Sequence, residues 1–176
     1  MEPNSNSDSG SGPSLLRPAA AFALLSNERG TAVEDTFVLM DDLMLGDLSQ
    51  PQCAAGVPLF GVYDGHGGGA AAKHCARRLH HLIADQLLGV IKAAPPPDPA
   101  APAAECPLDA AGVSAALRDA FVATDAELKA SGVLDHNSGS TALVALLTPA
   151  TIWLAWADPA GRALRQSCGS LPAVAS

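Results

Sequence analysis

Basic residues are scarce in this chain: ten Lys and Arg stand against eighteen Asp and Glu, for a net charge of −8. No run of Lys or Arg concentrates them, which argues against an electrostatic grip on nucleic acid or on an anionic membrane. Cysteine is sparse as well. Cys53, Cys75, Cys106 and Cys168 are widely spaced and form no Cys-x-x-Cys pair, so neither a zinc cage nor a dithiol redox motif is written here, and reduced thiols are the default. No apolar run approaches the ~20 residues needed to span a bilayer, and the N-terminus lacks the basic-then-apolar order of a signal peptide. These absences predict a protein of the cytoplasm or nucleus. Its partners are then proteins or small molecules, with no nucleic acid and no membrane among them.

What is present is the material of one globular domain. The chain has 176 residues, 48% of them hydrophobic, enough to bury a real core. Residues 1–18 are rich in Ser, Asn, Gly and Pro and too polar to bury much surface, so a disordered tail is predicted there, with the domain proper over 19–176. A Pro/Ala-rich loop is predicted over 93–107, because proline lacks the amide donor and clashes with the preceding helical turn.

The apolar run Leu59-Phe60-Gly61-Val62-Tyr63 stops at Asp64-Gly65-His66-Gly67-Gly68-Gly69. Pro58 before it and glycines after it favour a buried strand that delivers a loop. The glycines let the backbone approach a ligand, Asp64 offers hard oxygen ligands, and His66 supplies an imidazole for proton transfer. That is equipment for a metal-assisted site. The plainer alternative is a tight turn in which Asp64 caps the following helix and His66 stays idle.

Around this loop the chain alternates in blocks. Ala19–Leu25 and Ala32–Met40 read as two strands joined by turn residues, with Glu34 and Asp35 at the start of the second and pointing to opposite faces. Taken alone, that acidic pair is more simply a solvated strand entrance, and Asp41, Asp42 and Asp47 are read as structural. A helix is predicted from Ala70 to about Val90, with Cys75, Leu79, Ile83, Leu87 and Val90 as its buried stripe and His74, His80 and His81 as surface residues. A second, antiparallel to it, is predicted from about Asp109 to Lys129 with Asp109 as cap and Val113, Leu117, Ala120, Phe121, Thr124 and Leu128 buried. Gly139–Leu147 and Thr151–Ala157 then read as a hairpin. Runs of strands, helices and strands predict an α+β fold with antiparallel sheets.

Glu34-Asp35, then Phe60 through Gly68, then Gly139-Ser140-Thr141-Ala142, in that order with a helical pair between the last two, resemble the metal-dependent protein serine/threonine phosphatases of type 2C. The resemblance covers roughly Ala19 to Ile152 and corresponds to the N-terminal half of such a domain. It implies part of a four-layer α-β-β-α sandwich of antiparallel sheets with flanking antiparallel helices. It also implies hydrolysis of phosphoserine and phosphothreonine with two Mg²⁺ or Mn²⁺ ions that polarise the phosphoryl group and acidify a shared water. Asp64 would bridge the ions, Gly65 would offer its carbonyl, Glu34 would reach a metal through water and Asp35 would support the shell. His66 would be the general acid. The family also grips phosphate with an arginine just ahead of the Glu-Asp pair, and Arg29 is the candidate here.

Lys73-His74-Cys75-Ala76-Arg77-Arg78-Leu79-His80 is similar to plant members, including the abscisic acid branch, whose partners are hormone receptors and sucrose-nonfermenting-related kinases; phosphoprotein substrates are implied throughout. The chain departs from the family pattern after the hairpin. Ala155–Leu164 matches the family's Asn-x-Gly-Asp-Ser-Arg-Ala turn only loosely, and the later aspartate motifs are not in this sequence. Two readings follow: a phosphatase, or an inactive phosphatase-like product that is a binding module, a decoy or an incomplete gene product. In either, a metal with few charged ligands should bind weakly, and uncovered sheet faces should promote association.

Overall fold

The computed structural model describes residues 33–43, 57–94, 108–132, 134, 137–148, 151–157 and 165–170. The predicted tail over 1–18, the strand at 19–25, Arg29, Asp47 and nearly all of the Pro/Ala-rich loop lie outside the described residues. The architecture is α+β. A five-stranded antiparallel sheet runs in the order β1 (Thr36–Met40), β2 (Leu59–Tyr63), β5 (Ala142–Leu147), β6 (Thr151–Ala157) and β7 (Arg165–Ser170), and a short ladder joins β3 (Gly65–His66) to β4 (Gly139–Ser140). The described residues form one helical layer and one main sheet, two of the four layers that the resemblance implied.

The strands alternate because one face is covered and the other is not. Leu59 and Tyr63, then Val144 and Leu146, then Trp153 and Ala155 point to the covered face and are buried. Phe37, Leu39 and Leu143 lie on the other face, with Leu143 48% exposed. Two helices supply the cover: α1 (Ala70–Ala93) and α2 (Ala110–Ala130). The predicted α1 stripe is buried at Cys75, Leu79, Ile83 and Leu87 and continues to Ile91, while Val90 is only half-buried. Val90 instead faces the start of α2, where a Cβ on Gly112 would sit 2.6 Å from its Cγ1. Arg78, near the start of α1, reaches Glu127 near the end of α2 at 2.8 Å, so the helices run antiparallel. All six residues of the predicted α2 stripe are buried, and the Asp109 side chain accepts from the Gly112 N–H at 2.7 Å.

Several boundaries differ from the sequence expectation. The first described strand begins at Thr36, so Glu34 and Asp35 precede it and occupy a loop, where the alternation of a strand does not govern their directions. The predicted strand Gly139–Leu147 is broken at Thr141, whose N–H donates to the Asp64 carbonyl at 2.8 Å and leaves the ladder there. β7 was not expected. It pairs in register with β6, from Thr151 opposite Ser170 to Trp156 opposite Arg165. The structural role assigned to Asp42 holds, since its Oδ1 accepts from the Val57 N–H at 3.2 Å.

Candidate active site

β2 is a central strand bonded to β1 and β5 on its two sides, and its C-terminal end carries the loop that leads into α1. A strand fixed on both edges gives that loop a rigid origin. Asp64 is the first residue past β2 and is exposed, as is His66. The loop is then fastened from the other side of the chain. The Asp64 N–H donates to Thr141 Oγ1 at 3.3 Å, the Ser140 hydroxyl donates to the Asp64 carbonyl at 3.1 Å, and the Ser138 hydroxyl donates to the Gly67 carbonyl at 2.6 Å. Residues 137–141 form a rail along the loop. Gly67 has φ +66° and would drive a Cβ into the Asn137 carbonyl, so only glycine suits that turn.

Asp35 reaches the same loop from the β1 side. A Cβ on Gly65 would lie 2.5 Å from the Glu34 carbonyl oxygen, so the missing side chain permits the approach. The Asp35 carboxyl is held above its ordinary value, first by partial loss of solvent and then by the charge of Asp64 and a hydrogen bond shared with it. The Gly65 N–H, donating to Asp35, acts in the opposite direction, and the charge of Glu34 adds a smaller push upward. Two carboxylates in contact, with a third acid beside them, concentrate negative charge in hard oxygen donors, which suits a divalent cation of the Mg²⁺ or Ca²⁺ type.

The set is sparse. Among the described residues no group of three or more His, Cys, Asp or Glu side chains gathers closely enough to hold a metal ion. Most of a cation's shell would therefore come from water or from groups beyond these. The structure thus brings together Asp64, Gly65, Asp35 and His66, with Glu34 adjacent.

The helical histidines do not join them. His81 is exposed as expected, but His74 and His80 are half-buried. His74 lies 3.8 Å from Glu127, beside the Arg78 ion pair, and burial followed by the neighbouring His81 holds His80 below its ordinary value. Ser138, Ser140 and Thr141 are the site residues whose contacts sequence reasoning missed. The only signal was the Gly-Ser-Thr-Ala run, which matched a family pattern without revealing what its hydroxyls hold.

A family model described as Protein phosphatase 2C matches residues 27–157. The chain belongs to the protein phosphatase 2C family. Among its relatives, "Probable protein phosphatase 1N" of Mus musculus is 33% identical over 157 residues, covering 89% of this chain and 34% of that protein. "Protein phosphatase 2C 56" of Arabidopsis thaliana is 32% identical over 118 residues, covering 64% of this chain and 23% of that protein. The chain thus spans about a third or less of these two family members. Among solved structures, a Toxoplasma gondii serine-threonine phosphatase 2C is 18% identical with a TM-score of 0.43, over 80% of this chain and 45% of that one. A Caenorhabditis elegans sex determining protein is 22% identical with a TM-score of 0.45, over 72% of this chain and 26% of that one.

Proposed function

We propose that this chain acts as a protein serine/threonine phosphatase, a hydrolase that cleaves the phosphate ester of phosphoserine and phosphothreonine side chains. The observation that carries the reading is the meeting of Asp35 and Asp64 beside His66 on a loop fastened at both edges, in a chain of the protein phosphatase 2C family. Asp64, Asp35 and the Gly65 carbonyl would hold Mg²⁺ or Mn²⁺, with Glu34 acting through water. When bound, the ions would polarise the phosphoryl group and make water a stronger nucleophile. The remaining work falls to the chain. A water oxygen attacks phosphorus in line, the bond from phosphorus to the seryl or threonyl oxygen breaks, and the departing alkoxide takes a proton from the His66 imidazolium. Products are the free hydroxyl side chain and inorganic phosphate. Arg29 is proposed to grip the phosphate oxygens.

Phosphoproteins are the proposed substrates. Plant kinases or hormone receptors as partners rest on the likeness of residues 73–80 alone. Action in the cytoplasm or nucleus is part of the same proposal, supported by the well-separated cysteines and the free thiol of Cys75. The test is hydrolysis of a phosphothreonine peptide with Mn²⁺, with Mg²⁺ and with chelator, beside Asp64→Asn. Metal-dependent turnover that the variant loses is the expected result. No turnover by a protein shown to be folded would overturn the proposal in favour of an inactive binding module.

A further inference from the structure

His66 is exposed, and an exposed imidazole ordinarily samples several rotamers. In this loop its ring has a seat. β3 pairs with β4 so that His66 lies opposite Gly139. A Cβ built on Gly139 would fall 2.6 Å from His66 Nε2 and 2.7 Å from Cε1, with Cδ2 at 3.6 Å. The Nε2–Cε1 edge of the ring therefore rests on the α-carbon of Gly139, in space that the side chain of any other residue would occupy. Contacts below 3.0 Å to carbon are not tolerated without displacement, and the backbone on either side of the seat is itself tied down. One residue before it the Ser138 hydroxyl holds the Gly67 carbonyl at 2.6 Å, and two residues after it the Thr141 N–H holds the Asp64 carbonyl at 2.8 Å. With both ends of the rail anchored, a bulkier residue at 139 would displace the ring in preference to the strand.

We infer that Gly139 is a positioning residue for His66: its missing side chain is the seat that fixes the imidazole where it can protonate a leaving oxygen. The inference rests on the general-acid reading of His66. The proton moves as written above, from imidazolium to the alkoxide as the ester bond breaks. Leaving groups differ in their need for it. A threonyl alkoxide is a strong base and requires a proton, whereas p-nitrophenolate departs without one. Displacing the ring should slow the first reaction and spare the second.

The experiment uses the whole chain and Gly139→Ala with two readouts. The first is the nuclear Overhauser contact between the His66 ring protons and the Gly139 α-protons. The second is turnover, with Mn²⁺, of a phosphothreonine peptide and of p-nitrophenyl phosphate. The expected result is a contact in the wild type and, in Gly139→Ala, a fall in kcat on the peptide of roughly 10- to 100-fold, part of what a general acid supplies. KM and the turnover of p-nitrophenyl phosphate should be nearly unchanged. A merely structural role would lower both substrates together, and that result, or no contact in the wild type, would overturn the inference. If the wild type hydrolyses neither substrate, the phosphatase reading fails on its own and the contact decides the seat: its loss in an otherwise native Gly139→Ala spectrum supports it, and its absence from the wild type refutes it. Should Gly139→Ala not fold, Ser138→Ala removes the adjacent strut without adding bulk. A weakened contact is then expected, with the same split between substrates where turnover is measurable, and an unchanged contact would count against the inference.

Discussion

Leu79, Ile83 and Leu87 of α1, Val113 and Leu117 of α2, and Leu59, Val144 and Leu146 of the sheet share one apolar core cluster. Asp64 and Gly67, just beyond the same β2, are held instead by hydroxyls and amides of residues seventy-one to seventy-seven positions downstream. The first region needs volume in the right stripe and forgives an isosteric exchange. The second needs particular donors, and gaps where side chains would otherwise stand. One region gives the molecule its body and the other gives it direction, and the two should fail in different ways when altered.

The largest effect is expected in the body. Ile83 is fully buried between helix and sheet, so Ile83→Ala should lose about 2–5 kcal/mol in urea unfolding, whereas Ile83→Leu should cost under about 1.5. Equal costs would mean that this layer is not close-packed. Asp109→Ala removes the side chain that caps α2 and should cost roughly 0.5–2 kcal/mol in the same assay. Thr141→Val, nearly isosteric, deletes the hydroxyl that accepts from the Asp64 N–H. It should cost roughly 0.5–1.5 kcal/mol in unfolding while speeding amide exchange in the Asp64 loop more than in α1. Uniform acceleration across both regions would erase the distinction.

The smallest effect belongs to the surface pair between the helices. The Arg78 guanidinium, hydrogen-bonded to Glu127, holds that carboxyl below its ordinary value. A carboxyl lowered in the folded state contributes stability above its unfolded pKa and loses it as pH falls through the folded one. The stability difference between wild type and Glu127→Gln should therefore shrink on acidification. It should shrink in high salt as well, because the pair is partly exposed, at 42% and 37% of the two side chains. A difference that grows at low pH would contradict the assignment.

The body was legible in the sequence because periodicity is local. Residues spaced three and four apart on α1 and α2 declare their buried face without reference to anything distant, while the short apolar runs of β2, β5 and β6 declare strands without saying which face is covered. Asp109 declared itself by residue type at the right offset. The loop was half legible: Asp64, Gly65 and His66 stood out as a strand end followed by glycines, and Glu34-Asp35 gained meaning only from the order of motifs. What the sequence could not display was contact across the chain. The break at Thr141, the strut from Ser138 and the seat on Gly139 all depend on β4 lying against β3, a pairing of two residues each that no periodic signal can announce. β7 escaped for a related reason, since Arg165-Gln166-Ser167-Cys168-Gly169-Ser170 lacks the apolar alternation by which strands are recognised.

The meeting of carboxylates at the end of β2 is tested most directly by Mn²⁺ titration of the whole chain, following the free-ion paramagnetic resonance signal, beside Asp64→Asn and Asp35→Asn with their folds checked by circular dichroism. If these acids form a cation site, the wild type binds Mn²⁺, Asp64→Asn weakens binding tenfold or more (at least about 1.4 kcal/mol), and Asp35→Asn weakens it by less. Equal affinity in all three proteins would contradict the assignment and leave the fastened loop without its cation.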